Sequence, residues 1–270
     1  MKNIMLIISL FLALGSWAQT INQTDAQGLK QGLWEKTSPE GKLIYKGEFK
    51  DNKPVGEWKR FHLNGMLRAQ MTYAEDGSTC AAMLFDTMGN KIAVGAYVNG
   101  KKEGLWTIFK DNIKIGEENY VEGKKEGLST TFYDTGAKSS EQAFTDDKPN
   151  GSYRTYHKTG SVYFECLMKE GMRDGYCQSF YDDGSVEYSG YYAKDLRDRN
   201  WDYFHRDGSR AYTIIYKGGL VQNTAVKDSV DNLRLQNIER QAKQITDPEQ
   251  FIDDPSGYME RMMNPQRPQQ

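Results

Sequence analysis

The stretch Tyr97-Val98-Asn99-Gly100-Lys101-Lys102-Glu103-Gly104-Leu105-Trp106 decides the reading of this chain, because its parts return every 24 residues. Gly32-Leu33-Trp34, Gly56-Glu57-Trp58, Gly104-Leu105-Trp106, Gly127-Leu128-Ser129, Gly151-Ser152-Tyr153 and Gly175-Tyr176-Cys177 open successive units. Cys80-Ala81-Ala82 and Arg199-Asn200-Trp201 are degenerate openings in the same phase, and the fourth unit is one residue short. Self-similarity at such a period signals stacked copies of one supersecondary unit.

Three columns that play no part in setting this register confirm it. Five residues after the openings come Thr37, Phe61, Phe85, Phe109, Phe132, Tyr156, Phe180 and Phe204. Nine residues after them come Gly41, Gly65, Gly89, Gly136, Gly160, Gly184 and Gly208, with Asp111-Asn112 serving the short unit. Sixteen or seventeen residues after them lie Phe49, Tyr73, Tyr97, Tyr120, Phe144, Met168, Tyr192 and Tyr216. Asn64-Gly65, Asp183-Gly184 and Asp207-Gly208 are turn dipeptides that accept positive φ, so the Gly column marks one hairpin tip. A second tip precedes each opening by four residues, at Gly28, Asn52, Asp76, Gly100, Gly123, Asp147, Gly171 and Asp195. Two turns per unit leave two strands of about six to eight residues, the usual strand length. The expected fold is all-β: an elongated single-layer antiparallel sheet of about eight stacked 24-residue β-hairpin repeats over residues 19–223.

A single hairpin cannot bury its own face, so Trp34, Trp58, Trp106 and Trp201, all in one column, are expected to pack neighbouring hairpins together. The Trp and Phe columns are three residues apart, which strict alternation would send to opposite faces. Either a bulge intervenes or both faces carry aromatics. Cys166 and Cys177 lie symmetrically about Gly171-Met172, in columns that elsewhere pair Gly47 with Trp58, Gly95 with Trp106 and Gly190 with Trp201. They are the candidate for a cross-strand disulfide, with Cys80 left as a buried thiol.

The pattern Gly-x-Trp-x-x-Phe/Tyr-x-x-x-Gly, followed by a strand ending Tyr-x-x-Gly-Lys-x-x-Gly, resembles the MORN-repeat variant family over about residues 22–222. The resemblance implies a gently twisted antiparallel sheet and a scaffold, dimerisation or phospholipid-binding role. Bacterial proteins of this kind are often labelled antitoxins, a role that sits poorly with an export signal because a toxin is normally met in the cytoplasm.

Such a signal opens the chain. Lys2, the apolar run Ile4 to Leu14 and Ser16-Trp17-Ala18 read as a signal peptide over 1–18, with export to the periplasm or cell surface. Its run of about eleven apolar residues is too short to span a bilayer, and no second one follows. At the other end, Asp228 or Ser229 is expected to cap a helix within 224–246 whose stripe Leu235, Ile238, Ala242 and Ile245 covers the last hairpin. The stretch 247–270 is polar and Pro-punctuated, the composition of a flexible tail.

The composition narrows function further. A net charge of −2 with both signs interspersed offers no basic face for nucleic acid. The three His, at 62, 157 and 205, share one column, yet their repeats lie roughly 20 to 40 Å apart at two strands per unit, too far to share a metal. They read as surface residues. No Gly-rich phosphate loop and no H-E-x-x-H or G-x-S-x-G motif is present. Asp146-Asp147 and Asp182-Asp183 read as solvated turns rather than calcium ligands. No catalytic, metal or cofactor residue is assigned. The weak candidates for an anionic ligand are Lys101, Lys102, Lys124 and Lys125, at equivalent turns of adjacent units. The expected function is an exported, non-enzymatic module that binds or scaffolds another protein or an anionic envelope component, the alternative being an antitoxin or immunity protein.

Overall fold

The computed structural model describes residues 20–242. The expected signal peptide and the polar tail lie outside the described residues. The chain divides into two compact units, Met1–Gly151 and Ser152–Gln270.

In the first unit the strands are β1 (Gln23–Thr24), β2 (Lys30–Thr37), β3 (Leu43–Lys50), β4 (Lys53–Phe61), β5 (Leu67–Tyr73), β6 (Thr79–Phe85), β7 (Lys91–Val98), β8 (Lys101–Lys110), β9 (Ile113–Val121), β10 (Lys124–Lys125), β11 (Gly127–Phe132) and β12 (Lys138–Thr145). Each from β1 to β9 pairs antiparallel with the next, β9 continues onto β10 and β11, and β11 pairs with β12. The unit boundary falls inside β13 (Lys148–Tyr156). The second unit continues through β14 (Val162–Lys169), β15 (Met172–Phe180), β16 (Val186–Ala193), β17 (Leu196–Phe204), β18 (Arg210–Lys217) and β19 (Leu220–Val221), again in antiparallel succession, to α1 (Thr224–Ala242). The expected stacked hairpins are present in both units.

Both tip columns take the backbone conformation that their residues permit. Asp51-Asn52, Asn99-Gly100, Asp146-Asp147 and Lys194-Asp195 each place two successive residues at positive φ, the two-residue turn whose twist matches flanking strands. The Gly column closes the other tips: Gly65 N–H donates to the His62 carbonyl and Gly184 N–H to that of Tyr181, with φ of 86° and 87°.

The register also answers the question of the Phe column. Pairing slips immediately before Phe61, Phe85, Phe109, Phe132, Phe180 and Phe204, so a bulge intervenes wherever the two columns coexist. The Phe column, with Tyr156, is half-buried. A second slip follows the small residue opposite Trp. Lys46 pairs with Lys59 but Glu48 with Val55, and Val94 with Thr107 but Ala96 with Glu103. The opening glycines Gly56 and Gly104 sit in these slips with φ of 61° and 66°. Between β5 and β6, where Cys80 replaces that glycine, the register runs through without a slip.

The helix differs from expectation. It begins at Thr224, ahead of Asp228 and Ser229, because Asn223 already clasps β18: its Oδ1 accepts from Ile215 N–H at 2.8 Å and its Nδ2 donates to the Thr213 carbonyl at 2.8 Å. Its stripe does not cover the final hairpin, since Leu235 and Ile238 are 56% and 61% exposed. Ile245 lies outside the described residues.

Candidate binding site

The site is built from the Gly–Trp rung. A Cβ on Gly47 would lie 2.2 Å from the Trp58 ring, and one on Gly95 or Gly190 would lie 2.3 Å from Trp106 or Trp201. Each ring therefore lies flat on bare backbone, a contact that only glycine permits. The bulge beside it frees a carbonyl, and the indole N–H satisfies it. Trp58 donates to Glu48 O at 3.0 Å, Trp106 to Ala96 O at 3.1 Å and Trp201 to Tyr191 O at 3.1 Å. Trp106 and Trp201 are wholly buried, Trp58 nearly so, and Trp34 is half-buried. Edge-on aromatics close round them: Phe49 and Tyr73 on Trp58, Tyr97 and Tyr120 on Trp106, Tyr192 and Tyr216 on Trp201. Such pairs contribute about 0.5–1.5 kcal/mol each beyond the area they bury.

A cation crowns most of these stacks. Lys30 lies over Trp34 and Phe49, Lys102 over Trp106 and Tyr120, and Arg197 over Trp201 and Tyr216. This column lies two residues before the opening, and it divides the four lysines of the expected basic edge between two sides. Lys102 is spent on its rings, and Lys125 sits over Phe144 and 2.5 Å from Glu118. Lys101 and Lys124 point to the other side and pair with Glu122 at 3.9 Å and Asp146 at 2.8 Å. All four thus have a partner within the fold, those of Lys101 and Lys124 being solvent-exposed ion pairs. Part of the His column latches neighbouring repeats together: His62 Nε2 donates to Phe85 O at 3.0 Å, and Tyr181 in the same column donates to Phe204 O at 2.9 Å, while His205 is exposed as expected.

In the second unit the rung between β14 and β15 is a disulfide. Cys166 and Cys177 are register partners with Cα atoms 4.2 Å apart, and both are buried. They pack with Tyr192, Trp201, Ile214 and Tyr216 as the unit's core. Cys80 is a free, buried thiol.

The aromatic ridge of the first unit is interrupted at β5 to β7. Ala82 stands in the Trp column, while Ala69 and Ala93 stand where the first and seventh repeats carry Tyr45 and Tyr188. Ser78 stands in the cation column. A concave cleft of about 670 Å³ opens there, floored by Ala69, Met71 and Leu84 and walled by Tyr73, Phe85 and Tyr97. Arg60, Arg68 and His62 stand along it. Among the described residues neither arginine has an ion-pair partner, and the one carboxylate on the cleft, Asp86, is held by the Met88 and Asn90 amides of its own turn. Burial pushes the Tyr73 and Tyr97 phenols and the Cys80 thiol above their usual ranges, and the Arg60 guanidinium works against that rise. Among the described residues no group of three or more His, Cys, Asp or Glu side chains gathers to hold a metal, and no helix is long and apolar enough to cross a membrane.

A family profile described as MORN repeat variant matches residues 54–75 and 173–194. Each match runs from the cation column through a Gly opening and both strands that follow it. The chain carries MORN-variant repeats. No curated relative matches the chain. Among solved structures the MORN-variant chain is similar to TarM, at 17% identity over 37% of this chain and 20% of that one, with a TM-score of 0.26. It is also similar to a mutant of S. aureus TarM in complex with Fondaparinux, alpha-GlcNAc-glycerol and UDP, at 16% identity over 35% and 19%, with a TM-score of 0.28. The chain thus spans about a fifth of the length of those proteins.

Proposed function

We propose that this MORN-variant chain is an exported, non-enzymatic binding or scaffold protein that holds another protein of the envelope. The observation that carries the reading is an apolar patch on the outward face of the second unit. Leu167, Tyr176, Tyr191 and Ile215 are 51%, 40%, 38% and 39% exposed. Tyr176 and Tyr191 are register partners with ring centroids 5.3 Å apart, and Leu167 lies against Gly175. Alternation places them opposite the Trp201 core: Tyr191 neighbours the ring-packing Tyr192, and Tyr176 neighbours the buried Cys177. Contiguous exposed apolar surface of this kind marks interaction sites, and tyrosine is enriched at them. The disulfide supports an oxidising destination.

The test is retention of a partner from an envelope fraction by the immobilised full chain, compared with a Tyr176→Glu/Tyr191→Glu variant. A partner held in stoichiometric amount by the parent and lost by the variant supports the reading. Recovery of no specific partner, or of one indifferent to the two substitutions, counts against it.

A further inference from the structure

We propose that the cleft over β5 to β7 of the first unit is a small-molecule site for an amphipathic carboxylate. It is separate from the apolar patch of the second unit, and neither reading depends on the other.

The geometry of the fold produces the hollow. In the first, second and fourth repeats a large ring fills the Trp column at Trp34, Trp58 and Trp106, and here Ala82 empties that column while Ala69 and Ala93 empty the Tyr45 column beside it. Ala69 pairs with Leu84, which pairs with Ala93, while Met71 pairs with Ala82, which pairs with Gly95. The ridges on either side remain, with Trp58 buried on one flank and Trp106 on the other, so the gap becomes a trough with walls. Its volume of about 670 Å³ falls in the range of ligand pockets, about 300–1,000 Å³.

The lining selects the ligand. A floor of Ala69, Met71 and Leu84 with aromatic walls takes an apolar body, through the burial that drives most small-molecule sites. Arg60 and Arg68 supply the polar end. The other arginines of the strands and their turns pair with carboxylates or stack on rings, Arg154 with Glu165, Arg173 with Asp195, Arg197 on Trp201, Arg199 with Asp198, Arg206 with Asp182 and Arg210 with Asp202, whereas Arg60 and Arg68 have neither kind of partner among the described residues, and both stand on this cleft. A planar guanidinium matches a carboxylate with two parallel hydrogen bonds. The sole carboxylate of the lining has its oxygens engaged by its own turn and is outnumbered by the two guanidiniums, so the cleft favours an anion over a cation.

Calorimetric titration of the full chain with octanoate, octanol and trimethyl(octyl)ammonium tests this. Octanoate is expected to bind saturably at one site, at least about tenfold tighter than either analogue. Ala69→Tyr, which places in the trough the residue that the first repeat carries at this column, should abolish octanoate binding. Arg60→Gln/Arg68→Gln should weaken octanoate about tenfold and leave octanol unchanged. The proposal is overturned if octanoate does not bind, if the ammonium binds as tightly, or if binding survives in a folded Ala69→Tyr protein. Should that variant fail to fold, the arginine pair decides: octanoate affinity unaltered by its loss overturns the proposal equally.

Discussion

At Gly47, Gly95 and Gly190 the missing Cβ is the structural feature, because a rigid buried ring occupies its place. Gly95→Ala forces a methyl to within 2.3 Å of Trp106. The ring cannot retreat, being wholly buried and held by the Ala96 carbonyl. The expected cost is about 3 kcal/mol, at the upper end of core overpacking. In a Trp106→Leu background the same change should cost under about 1 kcal/mol, so a double-mutant cycle by urea unfolding reads the contact itself. Additive effects would refute it. Arg199 supplies the opposite case. It occupies the opening column with φ of 61°, where Gly32, Gly56 and Gly104 take the same region freely. Its exposed contacts with Asp198 and Tyr191 are weak compensation. Arg199→Gly should raise stability by about 0.5–1 kcal/mol, the αL penalty less the added freedom of the unfolded chain. A lower urea midpoint would contradict the assignment. These glycine positions were legible in the sequence, because positive φ restricts residue type. The cation column was not. Lys101 and Lys102 are adjacent in sequence and read as a pair, yet neighbours on a strand face opposite ways, so one stacks on Trp106 and the other meets Glu122.

Within single elements, the hairpin β14–β15 shows the rung principle with different chemistry. The Gly–Trp pair that stitches β3 to β4 and β7 to β8 is replaced there by two thiols in the same register. Symmetry about Gly171-Met172 aligned Cys166 with Cys177 in the sequence, yet the turn itself lies at Glu170-Gly171 and pairs Lys169 with Met172, so it is the slip between Cys166 and Met168 that brings the two cysteines opposite each other. Alternation alone did not reveal the slips, which need an extra residue that periodicity averages away. Replacing both cysteines with Ser should lower the stability of the second unit by about 2–3 kcal/mol for so short a loop. Reductant should lower the parent by a similar amount and leave the double variant unmoved in thermal unfolding. The helix α1 gives a contrasting pair. Asn223→Ala severs two hydrogen bonds to β18 and should cost about 1–2 kcal/mol. Leu235→Lys on the exposed stripe should change stability by less than about 0.5 kcal/mol. A large effect at Leu235 would mean that the stripe is covered after all. The apolar spacing of that stripe was visible in sequence, whereas whether it meets the sheet depends on the direction in which Asn223 launches the helix.

At the scale of the whole molecule the aromatic ridge was readable because it recurs, and the cleft was not, because it is a set of departures in three different columns that only strand pairing brings side by side. The ionisable groups set its pH range. Turn carboxylates are held below their usual 3.8: Asp86 by the Asn90 side chain, Asp183 by Ser185, Asp207 by Ser209, Asp182 by Arg206 and Asp195 by Arg173. A depressed carboxyl favours the fold fully above its unfolded value, and that contribution fades as pH falls through the lower folded one. Burial raises Cys80 from 9.0 and Tyr73 and Tyr97 from 10.0. A raised acid favours the fold fully below its unfolded value, and that contribution is lost as pH climbs through the folded one. Urea midpoints should therefore be flat from about pH 5 to pH 8 and fall on both sides. On the alkaline side Cys80→Ala should delay the onset of the fall toward the tyrosine range, because the thiol has the lowest starting value of the three. A midpoint that drops between pH 6 and 8, or an alkaline limb unchanged by Cys80→Ala, would show that other groups govern the stability of the first unit.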